Sequence, residues 1–498
     1  MKINYKLISY KGADILNIQI KNIPGKDCAC DALILPFIEG QIKPSKDLGA
    51  SVAALLRKIS PDEFSGKKNE VLLLPAPADI KPGRLLLLGL GEKEKIGPEV
   101  LRQAGGKALA HLRTAGIREV ALSLPATPGN DLSAVYFIEG GLLGLYTYDL
   151  YKTEKETREI RKITLLSKPL KALSDGIRTM EVLASAVCFA RDLVNAPSNT
   201  MTPTHLAGAA LALGGKDVSV TVLERKDAEK LGMGAYLSVS KGSDEPPKFI
   251  VLEYRGSKKD PLILIGKSVT FDSGGLSIKP SDGLEKMKYD MAGGAAVLGL
   301  IRAVSLLRLP VHIIGILPAT ENLPGGSATR PGDVVRTLGG MTVEIINTDA
   351  EGRLTLADAL GYAKRFKPHA VIDIATLTGA CAIAFGGEAV AMMGNNRSVM
   401  EVIKESADFV NERVWEMPLF DEYREYLKSD VADIKNIGGR TGSLATSAKF
   451  LSEFAGDTPW AHLDIAGTAW TEKDKPYTPK GASGIGVRLL FDIIRRMQ

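Results

Sequence analysis

The feature that most constrains this chain is a succession of short, nearly unbroken apolar runs, each too brief for a buried helix, separated by stretches with helical spacing. CDALILPF, EVLLLPA, RLLLLGLG, EVALSLP and ITLLSK occupy the first third. VSVTVLE, FIVLEY, PLILIG, VHIIGILPA, TVEIIN, AVIDIATL and AHLDIAG follow later. Runs of this length read as strands buried on both faces, and their alternation with helical segments predicts α/β architecture. Helical periodicity covers Pro98 to Gly116, Asp131 to Tyr148 and about 174 to 194. A charged tract, KTEKETREIRK at 152 to 162, reads as a solvated helix or linker face rather than a partner-binding patch, and a domain boundary is placed near residue 170. The expected fold is thus a smaller N-terminal α/β domain, 1–170, and a larger C-terminal α/β domain, 171–498, with a central mixed sheet flanked by helices.

At 498 residues, the chain predicts roughly two to four domains at about 100 to 200 residues each. Its formal charge of +5 permits nucleic acid or an anionic membrane as a partner without predicting either. The four cysteines, Cys28, Cys30, Cys188 and Cys381, are too few for a disulfide framework at this length and are expected as thiols. The opening MKINYKLISYKGADIL lacks the pattern of a secretory leader. AAVLGLIRAVSLL carries Arg302 and falls short of the roughly 20 residues that span a bilayer. A cytoplasmic location, with no membrane partner, is the expectation.

Several familiar chemistries fail on spacing. None of the five histidines forms an HExxH pair. Gly266-Lys267-Ser268 imitates the end of a phosphate-binding loop, but Pro261 stands where its first glycine is required. No GxSxG offers a nucleophile elbow. What remains is charge inside segments that otherwise read as buried. GKSVTFDSGGLSIK places Lys267, Asp272 and Lys279 around a Ser-Gly-Gly turn after a strand. KMKYDMAGG sets Asp290 at the mouth of an apolar helix, where a plain N-cap is the simpler reading of that residue alone. NTDAEGRL follows the strand TVEIIN, and alternation along an extended segment would send Asp349, Glu351 and Arg353 to one side.

Gathered in one place, Asp272, Asp290, Asp349 and Glu351 need cations. Lys267, Lys279 and Arg353 would leave a closed salt-bridge cluster at net −1. Two divalent ions would instead neutralise the four carboxylates, with Lys267 as a neutral nitrogen ligand. Such a pair can acidify a shared water and polarise a group under attack. The oxygen-rich donor set favours manganese or magnesium, with zinc or cobalt as alternatives. A two-metal phosphoesterase shares this logic, with Lys279 and Arg353 clamping phosphate. A DNA-binding protein is the non-enzymatic alternative, and the N-terminal third holds no recognition motif for it.

In these blocks, and in RDLVNAPSNTMTP, ENLPGGSATRPGDV, DIATLTGA and HLDIAGTAW, the chain resembles the leucyl aminopeptidases, also called cytosol aminopeptidases, over most of residues 175 to 498. The N-terminal third is similar in layout rather than in motif. The resemblance implies a metal-dependent aminopeptidase that removes leucine or another apolar residue from peptide N-termini through a water or hydroxide bridging two divalent ions, Mn2+ in first place and Zn2+ second. Lys267, Asp272, Asp290 and Glu351 would hold the tighter ion, and Asp272, Asp349 and Glu351 the more exchangeable one. Lys279 would steady the tetrahedral intermediate, and Arg353 would bind a bicarbonate that shuttles the proton. Met287, Thr376, Gly379 and Ala466 would line the substrate pocket, with ordinary core packing the competing reading of Met287. The resemblance also implies a homohexamer. Some bacterial members of the family act on DNA, and that role is not predicted here.

Overall fold

The computed structural model describes residues 16–43, 45–123 and 133–497. The opening segment 1–15, residues 124–125 of the run EVALSLP, and Asp131, the expected head of a helical segment, lie outside them. The described residues divide into two compact units: one comprises those up to Cys188 with Lys473–Lys480, and the other Phe189–Glu472 with those from Gly481 on.

Within the N-terminal unit a six-stranded sheet runs in the order Asn17–Lys21, Lys162–Leu166, Glu119–Leu122, Ala32–Ile38, Arg84–Gly91, Val71–Pro75. All neighbours are parallel except the last pair. Leu85 to Leu88 are fully buried, as expected for a strand covered on both faces. The helices Pro98–Thr114 and Ser133–Gly144 cross with their backbones touching. A Cβ on Gly105 would fall 1.9 Å from the Phe137 carbonyl oxygen, and one on Gly140 would fall 1.9 Å from that of Arg102. The charged tract 152–162 is not helical. It runs as exposed turn and irregular chain until Lys162 enters its strand, because only Ile160 in it offers an apolar residue to bury.

The larger unit is built on a mixed nine-stranded sheet. Eight strands follow the order Val414–Glu416, Val390–Gly394, Trp460–Asp464, Ala370–Ala375, Leu262–Gly266, His312–Asn322, Lys248–Arg255, Val218–Leu223. The ninth, Ser268–Asp272, continues the line of Leu262–Gly266 along the same long neighbour. The central strands are parallel and wholly buried. One face packs Ile263, Ile265, Val371 and Trp460 against Leu356 and Leu360 of the helix Gly352–Ala363 and Phe450 of Ser443–Ala455. Each such side chain stabilises the unit by about 1.5–3 kcal/mol when fully buried.

The helical stretch Leu284–Leu307 is long and apolar enough on composition alone to cross a membrane, yet 78% of its most apolar window is buried inside the structure. The run TVEIIN was expected among the strands of the large sheet. Its strand, Thr342–Ile345, instead lies in a separate three-stranded sheet between Asp333–Arg336 and Ile434–Lys435. Four residues of half-buried alternation match this smaller, one-sided sheet better than the continuous burial of the centre.

Candidate metal centre

Lys267 occupies the break between Leu262–Gly266 and Ser268–Asp272, where the chain steps over the C-terminal edge of the parallel strands, the edge at which such sheets bind ligands. Its amide donates to the Ile374 carbonyl at 3.0 Å, and its carbonyl accepts from Gly294 N at 2.8 Å. That second bond brings in the start of the helix Ala292–Leu307. Only glycine allows the approach, since a Cβ on Gly293 would meet the Ile374 oxygen at 2.0 Å. Asp290, the residue before that helix's N-cap position, is thereby drawn to Lys267. The N-cap is Met291, and no side chain caps the helix, so the plain N-cap reading of Asp290 is corrected. Its Oδ1 accepts instead from Lys267 Nζ at 2.7 Å and from Thr376 Oγ1 at 2.7 Å.

Asp272 ends its strand, and the chain turns through Gly274 and Gly275 at φ of +89° and +66°. Gly274 N donates to Asp272 Oδ1 at 2.9 Å. A Cβ on Gly274 would lie 2.5 Å from the Ser277 carbonyl oxygen and 2.9 Å from Asp349 Oδ1, so the missing side chain is what admits Asp349. Asp349 and Glu351 do not lie on an extended segment. Asp349 sits in a turn, Glu351 takes the N-cap position of Gly352–Ala363, and Arg353 is the second residue of that helix. They converge because the turn feeds directly into the helix, not because a strand alternates.

The result is a dense cluster. Ligand-capable oxygens of Asp272, Asp290 and Glu351 all lie within 4.8 Å of one another. Lys267 Nζ stands 2.8 Å from Glu351 Oε1, without the alignment of a hydrogen bond, and donates to the Thr376 carbonyl at 2.8 Å. Lys279 Nζ pairs with Asp272 Oδ2 at 2.8 Å and with Asp349. Burial pushes the Asp290 carboxyl well above the usual carboxylate range against the pull of Lys267, and raises Asp272 in the same way. Burial also lifts Asp349 to about 6, partly offset by Lys279. Glu351 goes the other way: burial would raise it, but Lys267 and Lys279 together hold it low. Burial would lower both lysines, and the surrounding carboxylates outweigh it and hold them above the ordinary range. Arg353 is brought down to about 10 by burial, opposed by Glu351, Asp464 and Asp349. It donates from Nη1 to the Asn436 carbonyl at 2.7 Å, while its Nε is buried with no hydrogen-bond partner.

This donor set fits divalent cations. Four carboxylates from three chain segments face three side-chain cations, an excess of one negative charge. Asp290 Oδ2 is buried without a hydrogen-bond partner, an expensive state for an ionised oxygen that a cation would relieve. The structure therefore brings together Lys267, Asp272, Lys279, Asp290, Asp349 and Glu351, with Arg353 in electrostatic reach. Of the four expected pocket residues, Thr376 touches the cluster directly. Gly379 is exposed at the first turn of Gly379–Phe385, Ala466 is half-buried after the strand Trp460–Asp464, and Met287 is half-buried in the 3-10 turn Leu284–Met291. Among the described residues no hydrogen bond joins these three to the carboxylates of the cluster.

Two asparagines had no signal in the sequence. Asn322 Nδ2 donates to Asp272 Oδ1 at 2.8 Å and to the Thr348 carbonyl at 3.0 Å, joining the two carboxylate-bearing turns. Asn436 is fully buried. Its Oδ1 accepts from Ile346 N at 2.9 Å and Asn347 N at 3.3 Å, and its Nδ2 donates to the Asn347 carbonyl at 2.7 Å. A neutral amide at a strand end carries no periodicity and no charge pattern, so its sequence does not say what it holds.

Residues 188–491 match the catalytic domain of the cytosol aminopeptidase family, and residues 38–155 match that family's N-terminal domain. The chain belongs to the cytosol aminopeptidase family. It is 47% identical over 490 residues to a probable cytosol aminopeptidase of Geobacter sp. (strain M21), covering 97% of this chain and 100% of that one. It is 45% identical to the cytosol aminopeptidase of Pseudomonas aeruginosa PAO1, over 89% and 90% of the two chains. Among solved structures, a tomato leucine aminopeptidase mutant superposes with a TM-score of 0.87 at 32% identity, covering 97% and 96%. The bottromycin maturation enzyme BotP in complex with Mn gives 0.84 at 33% identity, covering 94% and 100%. This cytosol aminopeptidase family member is accordingly an aminopeptidase, a hydrolase whose substrates are peptides, and its candidate metal centre is the acidic cluster at the strand edge.

Proposed function

We propose that this aminopeptidase removes leucine or another apolar residue from peptide N-termini with two divalent ions per subunit. The observation that carries the reading is the meeting of Asp272, Asp290 and Glu351, with Asp349 joined to Asp272 through Lys279, in a cluster that holds a buried, unpartnered carboxylate oxygen on Asp290. Lys267, Asp272, Asp290 and Glu351 would hold one ion, and Asp272, Asp349 and Glu351 the other. Lys267 would ligate as the neutral amine, which needs a strong positive charge beside it. Once bound, such a pair would acidify a shared water and polarise the scissile carbonyl. Oxygen-rich ligation and the manganese complex of BotP support Mn2+ as the first choice, with Zn2+ as the alternative.

The remaining roles belong to the chain's own groups. Lys279 lies at the more open end of the cluster, where a fixed ammonium can stabilise negative charge growing on the carbonyl oxygen. Arg353 is a permanent donor with a free Nε, suited to holding a bicarbonate that accepts and returns the proton, a task a guanidinium cannot perform as a base. Thr376, Gly379, Ala466 and Met287 would form the uncharged wall that receives the side chain. The larger portion, 171–498, would be the peptidase, and 1–170 would serve assembly or regulation. A cytoplasmic location, supported by the relatives called cytosol aminopeptidases, and a homohexamer complete the reading.

Metal analysis of the purified protein, with leucine p-nitroanilide hydrolysis followed through chelation and readdition of Mn2+ or Zn2+, tests the central statement. Two ions per chain and activity that returns with metal are expected. Full activity in a chelated, metal-free protein would sink it. Sedimentation velocity tests the hexamer.

A further inference from the structure

Asp464 ends the central strand Trp460–Asp464 and is fully buried, and apart from its electrostatic pull on Arg353 neither the mechanism nor the cluster uses it. It pairs in register with Ala375, the last residue of the neighbouring parallel strand, so two loops leave the sheet side by side. Both carry expected pocket residues: Thr376 and Gly379 on one, Ala466 on the other. The Asp464 carboxylate binds both loops at once. Oδ1 accepts from Leu377 N and from Ala466 N, each at 3.1 Å, and Oδ2 accepts from the Thr378 hydroxyl at 2.7 Å. Thr378 Oγ1 in turn accepts from Cys381 N at 3.0 Å, and Cys381 Sγ lies 3.3 Å from the Asp464 carbonyl, so the start of Gly379–Phe385 is gathered in as well.

The other end of the first loop is fastened to the cluster itself, through Lys267 Nζ to the Thr376 carbonyl and Thr376 Oγ1 to Asp290. A three-residue loop leading into the helix at Gly379 is thus pinned at one end to the reacting centre and at the other to Asp464. We infer that Asp464 is a specificity-positioning residue, holding the loops of Thr376–Gly379 and Ala466 at a fixed separation and so setting the width of the pocket for the N-terminal side chain. The inference rests on the reading of those loops as the pocket wall.

Hydrogen-bond geometry makes the role separable from a merely structural one. Asparagine at 464 can keep both N–H bonds on Oδ1 and donate from Nδ2 to Thr378 Oγ1, whose hydroxyl has a lone pair to spare and a rotatable proton. Alanine keeps none of these bonds. The test compares Asp464→Ala, Asp464→Asn and Thr378→Val with the full-length, metal-loaded wild type on leucine and alanine p-nitroanilides. Binding of free L-leucine and L-alanine is measured alongside by calorimetry, with metal content.

In Asp464→Ala the leucine-over-alanine ratio in kcat/KM should fall about tenfold, within the range that a change in side-chain fit commands in an apolar pocket. The loss should sit in KM and in leucine affinity, with two ions still bound. Asp464→Asn should recover most of the ratio, and Thr378→Val, which removes one arm, should lie between. An unchanged ratio in a folded, metal-loaded Asp464→Ala, or an Asn variant no better than Ala, overturns the inference. Should Asp464→Ala not fold, an unchanged ratio in Thr378→Val does the same. Failure of the dimetal reading looks different: the wild type itself would bind no ion pair or cleave no leucine substrate.

Discussion

The two ends of the acidic cluster are built from the same residue types and differ in their access to water. At one end the side chains of Lys267, Asp290 and Glu351 are 3%, 6% and 3% exposed. At the other, Lys279 and Asp349 are 20% and 33% exposed, with Asp272, at 4%, between the two. Charge–charge interactions strengthen as the local dielectric falls, so a cation at the enclosed end should be held more tightly and exchange more slowly than one at the open end. The difference comes from the fold. The enclosed end lies where three glycines, Gly266, Gly293 and Gly352, let strand, helix and side chain close together, whereas the open end hangs on a turn.

Glu351→Ala should have the largest effect. Glu351 faces both ends, coupled electrostatically to Lys267 and to Lys279. Its loss should abolish metal-dependent turnover of leucine p-nitroanilide, and calorimetric titration with Mn2+ should show that neither site keeps its wild-type affinity. Undiminished cleavage by this variant would end the proposal of a shared ligand. Asp290→Ala and Asp349→Ala then separate the ends. Removing Asp290 should cost the tightly held ion, and removing Asp349 only the exchangeable one, so metal analysis after dialysis should find about one ion per chain in the second variant. Equal losses from both would erase the distinction between enclosed and open.

Lys279→Ala sharpens the comparison from the side of rate. A single group that stabilises transition-state charge is typically worth about 10²–10³ in kcat. The variant should therefore keep both ions by metal analysis and lose rate on that scale in stopped or continuous assays. If metal content falls with the rate, Lys279 is needed to organise Asp272 and Asp349, and its proposed role at the oxyanion is wrong.

These residues were visible before any coordinates because charge at the ends of apolar strands demands partners. Lys267 and Asp272 flank a buried strand, and Asp290 heads a buried helix, so their meeting could be argued from cost alone. The local reason for Asp349, Glu351 and Arg353 was not visible. A turn entering a helix and an extended segment both bring alternate residues together over so short a stretch, and only the helix start at Gly352 distinguishes them. The strand of TVEIIN was legible as a strand but not as part of the small sheet, since a short run does not name its partner. The charged tract 152–162 reads as a solvated helix or linker face, and the structure has the second, an exposed chain without helix. Asn322, Asn436 and Asp464 act through hydrogen bonds, to backbone groups and in Asn322 also to the Asp272 carboxylate, that pattern cannot locate.

Asn322→Ala should produce the smallest of these effects and sharpens the contrast most finely. The amide reaches only one side of Asp272, donating to Oδ1 at 2.8 Å and to the Thr348 carbonyl at 3.0 Å, one residue before Asp349. Its removal leaves every proposed ligand in place but frees Asp272 and the turn of Asp349 to move apart. Groups that orient a ligand in this way are worth about 10–100-fold in metal affinity. The enclosed end shares Asp272 but is braced besides by Thr376 on Asp290 and by Lys267 on Asp290 and Glu351, and should register the change less. Titration of Asn322→Ala with Mn2+ should accordingly show the weaker binding step shifted by that factor and the tighter step, which shares Asp272, shifted less, with turnover restored at high Mn2+. An equal shift in both steps would mean that Asp272 transmits strain through the whole cluster, and the two ends would then have to be treated as one site.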